Sequence, residues 1–436
     1  MNGPVAWISS PAGPLGGELD VPGDKSVSHR AIMLAALADG VSRIDGFLEG
    51  EDTRATAAAF ARMGVQIETP TSSARIVHGV GMRGLKSANG PIDCGNAGTG
   101  MRLLAGLLAG QSFDSELIGD ASLSRRPMGR IIDPLTSMGA RIESGAGGLP
   151  PLRIHGRRRL QGMTFAPTVA SAQVKSAILL AGLYAHGTTE VREAHPTRDY
   201  SERMLAAFGW PIEFSQGWAR LPGNARLQAT DIVVPADFSS AAFFLVAASI
   251  VPGSKLTLRA VGMNPRRTGL LEILRLMGAD IVEVNRREQG GEWLADLHVS
   301  HAPLRGIDVP ERCVADMIDE FPILFVAAAT ALGTTRIRGV AELRVKESDR
   351  LAVMAQGLAS LGIAVTESAD GADITGGTIG SGRIDSVGDH RIAMSFAVAG
   401  LLASGPVLID DCATVATSFP GFLDLANACG FSISAT

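Results

Sequence analysis

Near the N-terminus, several polar and charged side chains lie together at the start of a predicted helix, where they could bind an anion. The run Pro22–Arg30 opens with a Pro-Gly break and then supplies Asp24 or Ser26 as a helix cap. Lys25 and Arg30 place cations at this helix N-terminus, although the helix dipole favours cations at the opposite end. Free N–H groups, hydroxyls and cations together are typical of an anion site. Taken alone, the run is more simply explained as a solvated helix start, but similar turns recur.

Five more polar turns each precede an apolar helical segment, and we expect all six turns to cap helices. These five turns are Gly95-Asn96-Ala97-Gly98-Thr99, Ala170–Gln173, Ala236–Ser240, Met317–Glu320 and Gly388–Arg391. Further charged residues lie in or just behind the turns: Arg102, Arg126, Lys175, Arg198, Asp319, Arg344, Lys346, Glu347 and Arg350.

Lys346 and Arg350 are four residues apart, so on a helix they would share a face and repel one another. Glu347 or Asp349 could neutralise them, or the two cations could share a bound anion, and the spacing leaves both explanations open.

Lys and Arg for anions, together with Asp and Glu for proton transfer, are typical of a metal-free transferase that acts on phosphorylated acids. The eight histidines show no metal-binding spacing, so we expect no metal and no cofactor. His29 and His390 are then structural hydrogen-bonding residues. Ser26 is better explained as an anion donor than as a nucleophile.

Composition narrows the class of protein. The net charge of −5 and an aromatic content of 5% argue against nucleic-acid binding. Four scattered cysteines without a C-x-x-C pair predict a reducing compartment and no disulfides. The apolar runs Ile323–Leu332 and Ile392–Leu402 are too short to cross a bilayer and predict buried helices. With no targeting segment recognised, we expect a cytoplasmic protein that does not bind membranes.

One unit of sequence repeats six times. A second helix in each unit ends at a glycine that is followed at once by strand-like residues, at Gly64, Gly139, Gly209, Gly278, Gly362 and Gly430. These glycines are 68 to 84 residues apart, so each repeat is a small α/β unit. Three repeats per half predict two lobes, one of residues 22–236 and one of residues 1–21 plus 237–436.

Six motifs together resemble the 5-enolpyruvylshikimate-3-phosphate (EPSP) synthase family over most of the chain, from about Gly16 to Ile433. They are Pro22–Arg30, Gly95–Thr99, Arg126-Pro127-Met128, Ser171-Ala172-Gln173, Arg344–Arg350 and Asp389-His390-Arg391. The resemblance implies an inside-out α/β barrel of two lobes with three pseudo-repeats each. It also implies transfer of an enolpyruvyl group from phosphoenolpyruvate to the 5-hydroxyl of shikimate 3-phosphate, with release of phosphate, in aromatic amino acid biosynthesis. The small-molecule substrates are then the partners of a monomeric enzyme.

The resemblance also implies roles for single residues. Asp319 would accept the hydroxyl proton, Glu347 would protonate the methylene carbon of phosphoenolpyruvate, and Lys25 would contact both substrates. The residues implied to bind shikimate 3-phosphate are Lys25, Ser26, Arg30, Ser171, Ala172, Gln173, Arg198, Asp319 and Lys346. Those implied to bind phosphoenolpyruvate are Lys25, Gly98, Arg126, Gln173, Arg350 and Arg391.

Two positions depart from the pattern of many family members. Thr417 stands where many have a lysine before Phe-Pro, and Leu103 stands where others have proline after Arg102. Both traits resemble the second branch of the family, some of whose members resist glyphosate. That branch often carries alanine in place of Gly98, so the glycine here predicts an enzyme that glyphosate inhibits.

Two other functions compete with this interpretation. The related UDP-N-acetylglucosamine enolpyruvyl transferases have asparagine after the lysine and use a loop cysteine, whereas here Ser26 follows Lys25 and Cys94 precedes a turn. A non-catalytic protein that binds phosphorylated ligands would not need the carboxylates Asp319 and Glu347.

Overall fold

The computed structural model describes residues 5–156 and 159–436, and these contain twelve α-helices and 23 β-strands. The helices are α1 (Lys25–Leu37), α2 (Glu51–Arg62), α3 (Gly98–Ala109), α4 (Gly129–Ser137), α5 (Ala172–Gly182), α6 (Tyr200–Ala207), α7 (Phe238–Ile250), α8 (Gly269–Leu276), α9 (Phe321–Thr330), α10 (Arg350–Ser360), α11 (His390–Gly400) and α12 (Phe422–Ala428). The strands are β1 (Trp7–Ser9), β2 (Gly16–Leu19), β3 (Asp39–Asp45), β4 (Gln66–Thr71), β5 (Ala74–Val80), β6 (Ile92–Asp93), β7 (Ser115–Ile118), β8 (Arg141–Gly145), β9 (Leu149–His155), β10 (Thr164–Phe165), β11 (Thr188–Arg192), β12 (Glu213–Ser215), β13 (Trp218–Pro222), β14 (Ile232–Val233), β15 (Lys255–Gly262), β16 (Asp280–Gln289), β17 (Glu292–Ser300), β18 (Thr334–Ile337), β19 (Ala364–Ser368), β20 (Gly371–Thr375), β21 (Gly382–Asp385), β22 (Val407–Asp410) and β23 (Ile433–Ala435).

Six small sheets repeat one strand pattern. Five have four strands, in the orders β14-β3-β5-β4, β6-β7-β9-β8, β10-β11-β13-β12, β2-β15-β17-β16 and β21-β22-β1-β23. In each of these the first two strands are parallel and the third is antiparallel to the second. The sheet β18-β20-β19 has three strands, and an isolated parallel bridge from Asp308 to Arg336 stands in place of the fourth. The sixfold α/β repeat predicted from the sequence is confirmed.

The glycines that mark the repeats end the second helix of each pair. Gly64, Gly139, Gly209, Gly278, Gly362 and Gly430 all have φ between 78° and 110°. Glycine adopts this left-handed conformation without a steric penalty, and so it ends a helix and turns the chain into the next strand.

The first helix of each pair is buried, and its start carries the candidate residues. Every residue of α7 is buried, and α11 is buried along its whole length. Asp24, Ser171, Asp237 and Asp389 cap α1, α5, α7 and α11 with their side chains. The expectation of a capping side chain at all six turns is wrong for α3 and α9, where Ala97 and Glu320 occupy the cap without a side-chain hydrogen bond.

Contacts within the chain divide it into two compact units. The first unit contains Gly23–Pro235 and Glu288–Glu292, and the second contains the residues up to Pro22, Ala236–Arg287 and Trp293–Thr436. Each unit has a hydrophobic core of its own. The N-terminal strands belong to the second unit, because β1 pairs with β22 and β23, and β2 pairs with β15. Residues 1–4 and 157–158 of the two predicted lobes lie outside the described residues.

Within the described residues, no helix has the length and apolar character needed to cross a membrane. The two longest apolar runs of the sequence form the buried helices α9 and α11, as predicted.

Candidate active site

The start of α1 in the first unit holds Lys25 beside a carboxylate. Asp24, not Ser26, caps the helix and accepts a hydrogen bond from Val27 N at 2.9 Å. Lys25 Nζ lies 2.9 Å from Asp52 Oδ2 of α2, and the lysine side chain remains 25% exposed. The ion pair fixes the lysine at the helix start while part of its side chain stays exposed. Sequence reasoning missed Asp52, because a single carboxylate in the first turn of a helix has no distinctive pattern.

Arg30 is a buried cation whose hydrogen bonds, among the described residues, go to uncharged oxygens, while Glu202 and Asp24 attract it without a direct hydrogen bond. Its Nε donates to Ser201 Oγ at 2.8 Å, its Nη2 to Ser176 Oγ at 2.7 Å, and its Nη1 to Ser26 O at 2.9 Å. Burial and repulsion from Arg198 lower the pKa of Arg30 to about 10, so it is still protonated at neutral pH. A buried guanidinium repelled by a second one is stabilised by an anion.

Gln173 and the start of α3 are joined by hydrogen bonds. Arg102 Nη1 donates to Gln173 Oε1 at 2.5 Å, and Gln173 Nε2 donates to Thr99 Oγ1 at 2.8 Å. Ser171 caps α5 just before Gln173 and accepts from Val174 N at 3.4 Å. Two sequence motifs, Gly95–Thr99 and Ser171–Gln173, therefore meet in the first unit.

Arg126 lies against the same helix start. Its Nη2 donates to Asn96 Oδ1 at 2.6 Å. A Cβ atom added to Gly98 would lie 3.0 Å from Arg126 Nη1 and 3.5 Å from Arg102 Nη1. A side chain at this position would therefore crowd Arg126, whereas its distance to Arg102 would be an ordinary van der Waals contact.

In the second unit, three cations surround the carboxylate of Asp319. Arg267 Nη1 lies 3.1 Å from Asp319 Oδ2, while Lys346 Nζ and Arg350 Nη1 lie 3.6 Å and 3.7 Å from Oδ1. The side chain of Asp319 is 14% exposed. A carboxylate held in this way is oriented from both of its oxygens.

Arg350 is almost completely buried and joins three carboxylates. Its Nε donates to Asp389 Oδ2 at 2.8 Å and its Nη2 to Glu347 Oε2 at 2.6 Å. Burial alone would lower the pKa of Arg350, but Asp389, Glu347 and Asp319 together raise it. The guanidinium is therefore a permanent cation that links the two proposed acid–base residues.

Lys346 and Arg350 do not lie on one helix, so the condition under which they would share a face is not met. Helix α10 begins only at Arg350, and Lys346 has an extended backbone with φ −82° and ψ −151°. Glu347 pairs with Arg350, which agrees with the explanation that a neighbouring carboxylate neutralises the cations. Asp349 instead caps α10 at Ala352 N and pairs with Arg344 at 2.9 Å.

Arg391 completes the cationic cluster of the second unit. Its Nη1 donates to Ser239 Oγ and to Asp319 O, both at 3.1 Å. Ser239 also contacts Arg267 and Glu320. Arg267 could not be recognised from the sequence, because the fourth repeat carries none of the six family motifs.

Three further predictions have clear outcomes in the structure. Lys175 is 3% exposed and paired with Glu193 and Glu202, so it is not an accessible ligand-binding cation. His29 is a structural hydrogen-bonding residue, since its Nδ1 lies 2.8 Å from Thr56 Oγ1. All four cysteines are free and buried.

At the position of the missing lysine, Thr417 donates its hydroxyl to Thr414 O at 2.7 Å and supplies no charge. Among the described residues, no three His, Cys, Asp or Glu side chains are grouped so that they could hold a metal ion.

Comparisons with known proteins find the same family over nearly the whole chain. A sequence model of the family described as EPSP synthase (3-phosphoshikimate 1-carboxyvinyltransferase) matches residues 10–425. The 3-phosphoshikimate 1-carboxyvinyltransferase of Xanthomonas campestris pv. campestris (strain B100) is 69% identical over 434 residues, which cover 100% of this chain and 99% of the relative. That of Xanthomonas oryzae pv. oryzae (strain PXO99A) is 67% identical, with 98% of each chain covered. The structure of EPSP synthase from Acinetobacter baumannii matches with a TM-score of 0.90 at 51% identity and covers 99% of this chain and 100% of that one.

The fold predicted from the resemblance, a two-lobed α/β barrel of six pseudo-repeats, is confirmed by this match. Membership of the second branch stays a prediction. The chain belongs to the EPSP synthase (3-phosphoshikimate 1-carboxyvinyltransferase) family.

Proposed function

We propose that this chain transfers the enolpyruvyl group of phosphoenolpyruvate to the 5-hydroxyl of shikimate 3-phosphate and releases phosphate. The observation that carries the proposal is the carboxylate of Asp319, held by Arg267, Lys346 and Arg350, with Glu347 on the same Arg350. Two carboxylates among cations supply proton transfer beside anionic substrates, which a protein that only binds ligands does not need.

In the proposed reaction, Glu347 donates a proton to the methylene carbon of phosphoenolpyruvate, which makes C2 electrophilic. The 5-hydroxyl oxygen attacks C2 while Asp319 takes its proton, and a tetrahedral intermediate forms. This intermediate loses phosphate as the former methylene carbon returns its proton. Lys346, 3.6 Å from Asp319 Oδ1, would stabilise negative charge on the attacking oxygen.

Glu347 must be protonated before it can act as an acid, yet it pairs here with Arg350. Arg350 is also a proposed ligand of phosphoenolpyruvate. We infer that the substrate anion replaces Glu347 at this guanidinium, because both are anions that would bind the same side chain. The displaced carboxylate loses a cationic neighbour and binds a proton more readily.

Substrate binding is proposed for the remaining residues of both units. Shikimate 3-phosphate would be bound by Lys25, Ser26, Arg30, Ser171, Ala172, Gln173 and Arg198, in addition to Asp319 and Lys346. Phosphoenolpyruvate would be bound by Lys25, Gly98, Arg126, Gln173, Arg350 and Arg391. The buried Arg30 donates its hydrogen bonds to uncharged oxygens and is repelled by Arg198, which supports a phosphate at that position.

An assay of phosphate release tests the function. Release should require both phosphoenolpyruvate and shikimate 3-phosphate, and UDP-N-acetylglucosamine should not replace the latter. Release with the nucleotide sugar would favour the related enolpyruvyl transferase. Tight binding of both substrates without turnover would instead favour a binding protein.

We also propose that the enzyme acts in the cytoplasm as a monomer. Four free, buried cysteines are consistent with a reducing compartment. Light scattering of the purified protein should give the mass of one chain, and fractionation of the producing cell should place it in the cytoplasm.

A further inference from the structure

Lys175 is a buried cation of the first unit that the proposed reaction does not use. It lies on α5, two residues after Gln173, and is 3% exposed. Its Nζ lies 2.7 Å from Glu193 Oε2, 2.8 Å from Glu202 Oε1 and 3.3 Å from Thr197 O. An ammonium has three N–H donors, and these three oxygens satisfy them.

The contacts of Lys175 fix both ends of the segment that carries Arg198. Glu193 precedes this segment, and its carboxylate also accepts from the backbone N of Thr197 at 3.2 Å and from the Thr197 hydroxyl. Glu202 follows the segment in the first turn of α6. One ammonium therefore ties the chain on either side of Arg198.

The same two helices also orient Arg30. Ser176 follows Lys175 on α5 and Ser201 precedes Glu202 on α6, and Ser201 Oγ donates to Ser176 Oγ at 2.7 Å. These two hydroxyls accept the hydrogen bonds from Arg30 Nη2 and Nε. A change in the spacing of α5 and α6 would therefore move the guanidinium of Arg30.

Lys175 offsets part of the negative charge of the two buried carboxylates beside it. Burial raises the pKa of Glu202, and Lys175 opposes this shift. Burial alone would lower the pKa of Lys175, but Glu202 and Glu193 raise it. Glu202 also attracts Arg30. Without the ammonium, two buried carboxylates would repel one another and Glu202 would compete for the guanidinium of Arg30.

We propose that Lys175 is a positioning residue for the binding of the phosphate of shikimate 3-phosphate. It holds the segment of Arg198 in place through Glu193, and it holds Arg30 in place through Glu202 and α6. This inference rests on the proposed function. Lys175 itself does not contact the substrate, because its donors are used by the protein.

The test compares Lys175→Met, of similar length but uncharged, with Lys175→Arg and with Leu221→Ala. Leu221 is fully buried in β13, whose sheet belongs to the same repeat as α5 and α6. The measurements are the melting temperature, the KM of each substrate, kcat, and the Kd of shikimate 3-phosphate by calorimetry.

Lys175→Met should raise the KM and Kd of shikimate 3-phosphate at least about tenfold and the KM of phosphoenolpyruvate less than about threefold. Lys175→Arg should recover part of this loss. Leu221→Ala should lower the melting temperature without a selective change in either KM. Glu193→Ala leaves Lys175 paired with Glu202, so it gives a folded second variant, and it should produce the same selective loss at about threefold or more.

Equal changes in both KM values, or a loss of active enzyme alone as in Leu221→Ala, would overturn the positioning role. If these results come with a wild type that turns over both substrates, the proposed function stands and only this inference fails. A wild type that neither binds nor turns over shikimate 3-phosphate would overturn both.

Discussion

Asp319 is the residue on which the proposed chemistry most depends. Replacing it with Asn keeps the shape of the side chain but removes the group that accepts the hydroxyl proton. We expect kcat to fall about 100-fold or more, the usual range for a lost general base. The three neighbouring cations would lose their shared carboxylate, so substrate anions should bind at least as well as before.

Steady-state kinetics with separately measured substrate affinities checks this prediction. Asp308→Asn, at an exposed carboxylate of the same unit, is the matched control and should keep full activity. A kcat near that of the wild type in Asp319→Asn would remove Asp319 from the role of base.

Gly98 determines how closely a ligand and Arg126 can approach the start of α3. A methyl group here would meet Arg126 Nη1 at 3.0 Å, so the guanidinium must shift by a few tenths of an ångström. Glyphosate resembles phosphoenolpyruvate but is longer, so the methyl group should hinder it more. We expect glyphosate to inhibit the wild type and Gly98→Ala to raise the ratio of Ki to the KM of phosphoenolpyruvate about tenfold or more.

Because the methyl group would also crowd Arg126, a proposed ligand of phosphoenolpyruvate, the KM of phosphoenolpyruvate should rise in Gly98→Ala as well. This rise should be smaller than the rise in the Ki of glyphosate. Gly129→Ala is the control, because a Cβ atom there meets nothing within 4 Å. A resistant wild type, or an unchanged ratio of Ki to KM, would refute this account of the position.

Candidate residues could be recognised from the sequence where they belong to a helix start. Lys25, Gln173 and Arg391 stand in turns whose caps and breaks are local patterns. Asp52 and Arg267 could not be recognised in this way, because their role arises from contacts with residues far along the chain. Lys175 was noted among the charged residues near the turns, but its burial and pairing do not show in residue type.

At the scale of elements, His29 joins the first two helices of the chain. Its Nδ1 contacts Thr56 of α2, and burial lowers its pKa from the usual 6.5 to about 3. In the unfolded chain this histidine binds a proton below about pH 6.5, whereas in the folded chain it does not until about pH 3. Between these values unfolding takes up a proton, so the free energy of unfolding falls as the pH falls.

We expect this residue to contribute a loss of about 2 kcal/mol in the free energy of unfolding between pH 7 and pH 5, at about 1.4 kcal/mol per pH unit below the unfolded pKa. Urea unfolding at both pH values, followed on the transition of the first unit, which contains His29, measures it. His29→Asn, which cannot titrate, should lose correspondingly less. An equal loss in His29→Asn would contradict the assignment.

The repeat of helix pairs was predictable because its signals are local: a cap, an apolar helix and a glycine with positive φ. The start of α10 was not. Asp349 binds Ala352 N with its side chain and so sets the first helical residue at Arg350, leaving Lys346 extended. Whether an aspartate caps a helix or continues it depends on such competing hydrogen bonds.

For the whole molecule, the sequence predicts two lobes, and contacts within the chain divide the described residues into two units. Six repeats suggested two groups of three, and Pro22 and Pro235 stand where the chain passes from one unit to the other. The segment Glu288–Glu292 groups with Gly23–Pro235 although it lies at the tip of the β16–β17 hairpin. No local sequence pattern predicts that this segment groups with the first unit, because the sequence of a hairpin tip is typical of a solvent-exposed turn.

Two separate cores predict that the units unfold in distinguishable calorimetric transitions. Leu221→Ala should lower the melting temperature of the first unit's transition, and Leu324→Ala, at an equally buried leucine of α9, should lower that of the second.

The proposed ligands of the phosphate group of shikimate 3-phosphate, Arg30 and Arg198, lie in the first unit. At about 100 times its Kd the substrate adds about 2.7 kcal/mol to the state that binds it, which raises the transition of a unit of this size by roughly 5–10 °C. Shikimate 3-phosphate should therefore raise the transition that Leu221→Ala lowers. A shift confined to the transition that Leu324→Ala lowers would contradict the proposal and place the phosphate in the second unit. A single transition in all variants would show that the two cores do not unfold independently.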